Sequence, residues 1–180
     1  IKVEQPGEGD MLRMLSHVPT APEAGNDWFW NLDGRNKRVR SLNLKDAEAL
    51  EILRELVVGC DVFITNQPFE VRSSLKITYE QLSELNPKMI YASLSAYGEM
   101  GPDRARKGFD QVAYWGRSGL MDLMRNPGKM PSQGLPGMGD HPTGVALYAS
   151  IVTALLRRER TGKGSLVHTS LLANGLWSAA

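Results

Sequence analysis

Cysteine and net charge are both scarce in this sequence, and each shortage excludes a class of protein. Cys60 is the single cysteine among 180 residues, which rules out an internal disulfide framework and suits a reducing cytoplasm. The formal net charge of +1 supplies no field that would attract nucleic acid or an anionic bilayer. No run of about eighteen apolar residues is present. We therefore expect a cytoplasmic globular protein that binds neither nucleic acid nor membrane.

Several common catalytic motifs are also missing. The sequence contains no Walker motif, no G-x-G-x-x-G after a predicted strand and no G-x-S-x-G nucleophile elbow. The three histidines, His17, His141 and His168, lie far apart and lack zinc-binding spacing. We expect no metal site, no dinucleotide fingerprint and no serine hydrolase.

What is present is an alternation of short apolar strands and amphipathic helices. Strands are predicted at residues 1–4, 39–44, 61–65, 89–94 and 165–170, and helices at 46–58, 78–85, 109–124, from 142 onward, and 171–180. Residues 8–36 are predicted to form a poorly periodic connection. The alternation favours an α/β fold, with a Rossmann-like, mostly parallel sheet flanked by helices.

The most informative stretch is a glycine-rich loop that passes through Asp140 into an apolar helix. Apolar residues follow Pro142 at helical spacing, namely Val145, Tyr148, Ala149, Val152, Leu155 and Leu156. A carboxylate at a helix N-terminus is stabilised in its ionised form, and the neighbouring glycines leave room for a substrate. An ordinary N-cap is the alternative interpretation of Asp140.

Polar residues follow several of the predicted strands. Lys45, Asn66 and Tyr97 lie where strands end, the position at which parallel sheets bind ligands, so this edge is a candidate site for a phosphorylated ligand. The loop after residue 97 carries three cations, which suit phosphate or pyrophosphate, although spacing alone favours solvated surface charge: Arg104, Arg106 and Lys107.

Five segments together resemble a known family. They occur in the order IKVEQPGEGD, NKRVRSLNLKDAEAL, CDVFITN, LNPKMIYASLSAYGEMGPDRARKGFD and GDHPTGVALYASIVTALLRRERTGKGSLVHTSLL. This combination resembles the family III CoA-transferases, the group that includes formyl-CoA transferase, carnitine CoA-transferase and α-methylacyl-CoA racemase. The resemblance implies that residues 1–180 belong to the large CoA-binding and catalytic domain of an interlocked homodimer. It also implies that the opening strand and the C-terminal half of that fold are absent from this chain.

The resemblance implies a covalent mechanism centred on Asp140. Its carboxylate would attack an acyl-CoA thioester to give a mixed anhydride, and the released CoA thiolate would convert that anhydride into an aspartyl-CoA thioester. The glycine loop is expected to direct backbone amides at the developing oxyanion. Acyl-CoA is then a substrate, and no tightly bound cofactor is expected.

The resemblance also assigns contacts with CoA. The positions that match family contacts or lie near the adenine are Gln5, Leu42, Lys45, Asn66 and Lys107. Two departures from the family pattern are visible: an arginine is missing after Asn66, and Ser74 stands where some members have a basic residue. Arg72 is a candidate substitute for these missing cations.

Two alternatives stay open. The racemase branch needs a histidine where this sequence has Phe109, which carries no proton, so transferase is preferred over racemase. A catalytically silent CoA-binding homologue is the other alternative. Within the transferases, the segment LPGMGDH most resembles the 2-hydroxyacyl-CoA and aryl-lactate group.

Overall fold

Parallel strands and helices alternate along the chain, which confirms the predicted α/β fold. The structure is a computed structural model that describes residues 1–19 and 22–180. The chain divides into two units, Ile1–Leu53 and Arg54–Ala180. In the described part, no helix combines the length and the apolar character needed to cross a membrane.

The first unit is built on two parallel strands, β1 (Lys2–Glu4) and β2 (Val39–Ser41). The predicted irregular connection between them contains a 3₁₀ helix (Met11–His17) and helix α1 (Trp28–Asp33); its residues 20 and 21 lie outside the described part. The prediction missed these helices because both are too short to show a periodic apolar face. Each is instead defined by an aspartate cap, since Asp10 accepts from the Leu12 amide and Asp27 from the Trp30 amide. Helix α2 (Ala47–Val58) follows β2.

The second unit contains a three-stranded parallel sheet in the order β3, β4, β5, with β3 at Val62–Thr65, β4 at Ile90–Ser95 and β5 at Ser165–Ser170. The middle strand is the most buried, because Ile90, Tyr91 and Ala92 are fully inaccessible. Such burial on both faces is typical of a parallel strand covered by helices.

Helices α3 (Phe69–Ser74) and α4 (Tyr79–Leu85) connect β3 to β4. The predicted capping box is confirmed, with Thr78 and Gln81 bonding each other's backbone amides at the start of α4. Helix α3 was not predicted, because its six residues are too few to reveal a period.

The connection from β4 to β5 is longer. It contains a π-helical turn (Gln111–Gly116), helix α5 (Leu120–Leu123) and helix α6 (Asp140–Thr161), and helix α7 (Leu171–Ala179) follows β5. The prediction of a single helix at residues 109–124 is therefore wrong. Gly119 adopts a left-handed conformation with φ of 88° and interrupts it.

Helix α6 buries a different face from the apolar stripe that predicted it. Leu147 and Ile151 pack against Ala92 of β4, and Thr143 and Ala154 complete the buried face. Most of the predicted stripe is exposed, namely Val145, Tyr148, Val152 and Leu156. Both stripes have helical spacing, so the pattern identified the helix without identifying the side that meets the sheet.

The direction of α6 places its first residue at the ligand-binding edge of this sheet. Near its C-terminus, Arg158 donates to Oδ1 of Asp61 at 3.0 Å and to the carbonyl oxygen of Lys88 at 3.4 Å. Those residues precede β3 and β4, so the end of α6 lies beside the amino ends of the strands. A helix of this length spans about 33 Å. Asp140 therefore lies beyond the carboxyl ends, where open α/β sheets bind ligands.

Candidate active site

Asp140 is the first residue of α6, and its side chain is exposed to solvent. The capping position belongs to Gly139, so the interpretation of Asp140 as an ordinary N-cap is wrong. Pro142 occupies the same first turn, where its missing N–H costs nothing. A carboxylate in the first turn is stabilised by the positive end of the helix dipole. The structure thus places an exposed aspartate in the first turn of a helix.

Asp110 anchors the glycine loop (residues 134–139). This carboxylate is only 5% exposed, and its Oδ2 accepts hydrogen bonds from the amide of Gly137 at 2.8 Å and the amide of Gly139 at 3.3 Å. The hydroxyl of Thr143, itself buried, donates to the Gly139 carbonyl oxygen at 2.7 Å. The residues directly before Asp140 are therefore fixed by one buried carboxylate and one buried hydroxyl.

Close packing makes glycine necessary at both ends of this loop. A Cβ on Gly139 would lie 2.6 Å from Cγ of Tyr114, and one on Gly134 would lie 2.3 Å from the ring of Trp115. The side-chain amide of Gln111 also donates to the Gly134 carbonyl oxygen at 2.6 Å. Asp110 and the π-helical turn that follows it thus form the platform on which the loop rests.

Two of the predicted CoA contacts lie at the same edge of the second unit as Asp140. Asn66 directly follows β3 and is exposed. Lys107, also exposed, lies on the loop after β4, three residues before Asp110. The hydrogen bonds of Asp110 connect that loop to the glycine loop. The loop that carries Lys107 is therefore bonded to the loop that leads into Asp140.

The other three predicted contacts lie together in the first unit. Gln5 follows the last residue of β1, Leu42 follows the last residue of β2, and the Leu42 amide donates to the carbonyl oxygen of Glu4 at 2.9 Å. Lys45 is exposed, with its amide 3.3 Å from Oδ1 of Asn43. These residues surround the carboxyl ends of the two strands of that unit.

Arg72 does not replace the missing cations. Its guanidinium is buried and pairs with Glu99, Nη2 to Oε2 at 2.6 Å. Ser74 directs its hydroxyl to the Val71 carbonyl oxygen at 2.9 Å. Arg104 occupies a different position: it is exposed, and its guanidinium lies 5.5 Å from the ring centre of Phe69 at the start of α3. Sequence reasoning placed Arg104 on a cationic loop but did not connect that loop with α3.

Comparison with known protein families gives an independent result. The sequence profile of CoA-transferase family III matches residues 1–180. The chain belongs to CoA-transferase family III.

Known members of family III resemble the chain over nearly its whole length. The (R)-2-hydroxy-4-methylpentanoate CoA-transferase of Clostridioides difficile is 34% identical over 178 residues, which cover 98% of this chain and 44% of that protein. The cinnamoyl-CoA:phenyllactate CoA-transferase of Clostridium sporogenes is 34% identical over 183 residues, covering 98% and 43%. The crystal structure of a CAIB/BAIF family protein from Brucella suis has a TM-score of 0.88 at 31% identity, covering 99% and 47%. The chain thus spans less than half the length of these curated relatives.

One expectation about the candidate site is changed by the structure. The glycine amides were expected to face an oxyanion, but those of Gly137 and Gly139 donate to Asp110 and that of Met138 donates to the Leu135 carbonyl oxygen. That prediction is wrong for these three groups. Phe109, where the racemase branch needs its histidine, is 70% exposed and directly precedes Asp110.

Proposed function

We propose that this protein transfers CoA between an acyl-CoA thioester and a free carboxylic acid, with Asp140 as the nucleophile. The observation that carries the proposal is the accessible carboxylate of Asp140 at the N-terminus of α6, in a chain that belongs to CoA-transferase family III. The anchored glycine loop supports it, because a nucleophile acts best from a fixed position.

The proposed chemistry is a series of acyl transfers. An oxygen of Asp140 attacks the thioester carbonyl carbon, the carbon–sulfur bond breaks, and CoA leaves as a thiolate. The thiolate attacks Cγ of Asp140 in the mixed anhydride, which releases the donor acid and leaves an aspartyl-CoA thioester. The acceptor carboxylate then attacks that thioester and the same steps run in reverse. No net proton transfer is needed, and each step exchanges one acyl bond for another of similar reactivity.

We propose that residues following the carboxyl ends of strands contact CoA. In the second unit these are Asn66 and Lys107, and we add Arg104 to them. Arg104 lies over Phe69 and has no carboxylate partner in residues 1–19 and 22–180, so its charge is available to a phosphate or pyrophosphate group. In the first unit the proposed contacts are Gln5, Leu42 and Lys45.

For the acceptor, we propose a 2-hydroxy acid. The support is that two relatives at 34% identity are named for such acids, 2-hydroxy-4-methylpentanoate and phenyllactate. The segment Leu135–His141, which contains Asp140, also resembles that group.

The whole protein is proposed to be a cytoplasmic homodimer in which residues 1–180 form part of the large domain. The single cysteine, Cys60, supports the compartment, and the family resemblance supports the dimer. Light scattering on the full-length protein tests the dimer, because a monomeric mass under assay conditions would contradict it.

The proposed activity is tested by an exchange assay on the full-length protein. Acyl-CoA donors are mixed with single acceptor acids, including 2-hydroxy acids, glutarate and oxalate, and new thioesters are separated by chromatography. We expect a new thioester with at least one 2-hydroxy acid, and none with the Asp140→Ala variant. A protein that binds CoA but exchanges it with no donor and acceptor would contradict the proposal. Exchange only with dicarboxylic acids would contradict the acceptor class alone.

A further inference from the structure

Asp110 is a buried carboxylate to which the predicted chemistry gives no role. It is 5% exposed, and among the described residues no cation pairs with it. Burying a polar carboxyl group is costly unless hydrogen bonds compensate. The compensation comes from the glycine loop, whose Gly137 and Gly139 amides both donate to Oδ2. The buried Asp110 carboxyl group is thus bonded to the segment that directly precedes Asp140.

The glycine loop has few side chains of its own that could anchor it in the core. It has no apolar side chain in the core, since Leu135 and Met138 are exposed, and Gly137 adopts a left-handed φ of 80°. Glycine in that conformation loses a large amount of backbone entropy when it is fixed. One oxygen of Asp110 accepts from both amides, so a single side chain restrains the loop at two points.

The fixed amides lie directly beside the reacting group. Gly139 is covalently adjacent to Asp140 and caps α6, so the plane of its peptide sets the position at which the Asp140 side chain leaves the backbone. Asp110 holds the peptide group between residues 138 and 139 through the Gly139 N–H, and Thr143 holds the peptide group between Gly139 and Asp140 through the Gly139 carbonyl oxygen.

We propose that Asp110 is a positioning residue, whose carboxylate holds the Gly137 and Gly139 amides so that Asp140 stands in the attacking position. This inference rests on the proposed covalent transfer through Asp140. In this role Asp110 acts through the two backbone amides and forms no bond with the substrate. Its effect is therefore on the rate of attack by Asp140 and not on the affinity for CoA, whose proposed contacts lie on other residues.

The test compares Asp110→Ala, Asp110→Asn and a control in the full-length protein. Displacing a reacting group by about 1 Å costs about 100-fold in rate, so we expect Asp110→Ala to lower kcat by about 100-fold and to change KM for acyl-CoA by less than about twofold. Asparagine offers a carbonyl oxygen to the same two amides, and we expect it to stay within about tenfold of wild type.

The control is Asn86→Ala. The side-chain amide of Asn86 donates to the carbonyl oxygens of Val57 at 3.0 Å and Cys60 at 2.8 Å, so it also anchors a turn, but at the amino end of β3. We expect this variant to lower the melting temperature without changing kcat per folded molecule.

The outcomes separate the two proposals. Rates of hydroxylamine-trapped adduct formation at Asp140 are measured in single turnovers for every variant. An adduct that forms in wild type and equally fast in Asp110→Ala overturns the positioning role and leaves the transfer mechanism standing. A loss in Asp110→Asn as large as in Asp110→Ala, or an equal loss of kcat in Asn86→Ala, also overturns it. No adduct in wild type overturns the covalent mechanism, and the positioning role with it.

Discussion

Nη2 of Arg72 lies 2.6 Å from Oε2 of Glu99, in an ion pair whose side chains are 5% and 15% exposed. Ser93 of β4 donates to the same carboxylate at 2.8 Å. Burial alone would lower the pKa of Arg72, but hydrogen bonds to Tyr91 and Glu99 outweigh it, and the pKa is raised. The guanidinium therefore stays charged, and its charge is used to connect α3 with the loop after β4.

The first prediction concerns the stability provided by this pair. Arg72→Met leaves Glu99 in a mostly buried position without its counter-ion, which costs about 3 kcal/mol of unfolding free energy. Urea denaturation of the full-length protein measures this cost. An unchanged free energy of unfolding, combined with weakened binding of CoA, would contradict the structural role of Arg72.

A second prediction concerns Arg104, which we propose binds a phosphate of CoA. Arg104→Met should raise KM for acyl-CoA by about tenfold, since a hydrogen bond to a charged group contributes about 1.5 to 3 kcal/mol. The free energy of unfolding of the Arg104→Met variant should change by less than about 0.5 kcal/mol, because the side chain is exposed. Steady-state kinetics measure the first quantity and urea denaturation the second.

The matched control for Arg104 is Arg125→Met. Arg125 is another exposed arginine, but it pairs with Asp122 of α5 at 2.7 Å. We expect the KM of the Arg125→Met variant for acyl-CoA to equal that of wild type. Equal increases in KM for the two variants would indicate a general effect of surface charge and would refute a specific contact at Arg104.

A third prediction concerns the reactivity of Cys60. Burial raises the pKa of its thiol, and the neighbouring Asp61 raises it further. A raised pKa means less thiolate at any given pH, so native protein should react with iodoacetamide more slowly than urea-unfolded protein at pH 8. The midpoint of the rate against pH should also lie higher in the native state. Equal rates in the two states would show that the thiol is neither buried nor inert.

A fourth prediction separates transfer from racemisation. A two-base racemase exchanges the α-proton with solvent, and Phe109 carries no proton for one of those bases. Incubation of 2-methylacyl-CoA with the full-length protein in deuterium oxide should therefore give no deuterium at the α-carbon. Incorporation at a rate comparable with CoA exchange would favour the racemase branch.

All five strands were predicted from the sequence because each is a short apolar run between turn formers. The ends of β2 were the least accurate, since the prediction extended the strand to residue 44 and it ends at Ser41. The helices were predicted where several turns repeat an apolar face, as in α2 and α6. The short helices α1 and α3 were missed, because neither repeats an apolar face. Helix α1 is ordered by its cap and by contacts such as Arg13 over the Trp30 ring at 3.5 Å, and α3 by the Arg72–Glu99 pair.

The candidate site was only partly predictable for the same physical reason. Asp140 was found because an acid, glycines and a helix start are adjacent in sequence. Asp110 was missed because its partners, Gly137 and Gly139, are 27 and 29 residues away and no local pattern reports such a contact. The one local signal was an aspartate between Phe109 and an apolar segment, which resembles an ordinary helix cap. The pairing of Arg72 with Glu99, also 27 residues apart, was hidden in the same way.

The central claim is that Asp140 becomes covalently linked during transfer, and trapping that intermediate tests it most directly. Full-length protein is mixed with acyl-CoA, quenched with hydroxylamine, digested and analysed by mass spectrometry, with Asp140→Ala in parallel. We predict a hydroxamate on the peptide that contains Asp140, dependent on acyl-CoA and absent from the variant. A protein that exchanges CoA at its normal rate with no modified Asp140, or with the modification on another residue, would contradict the account.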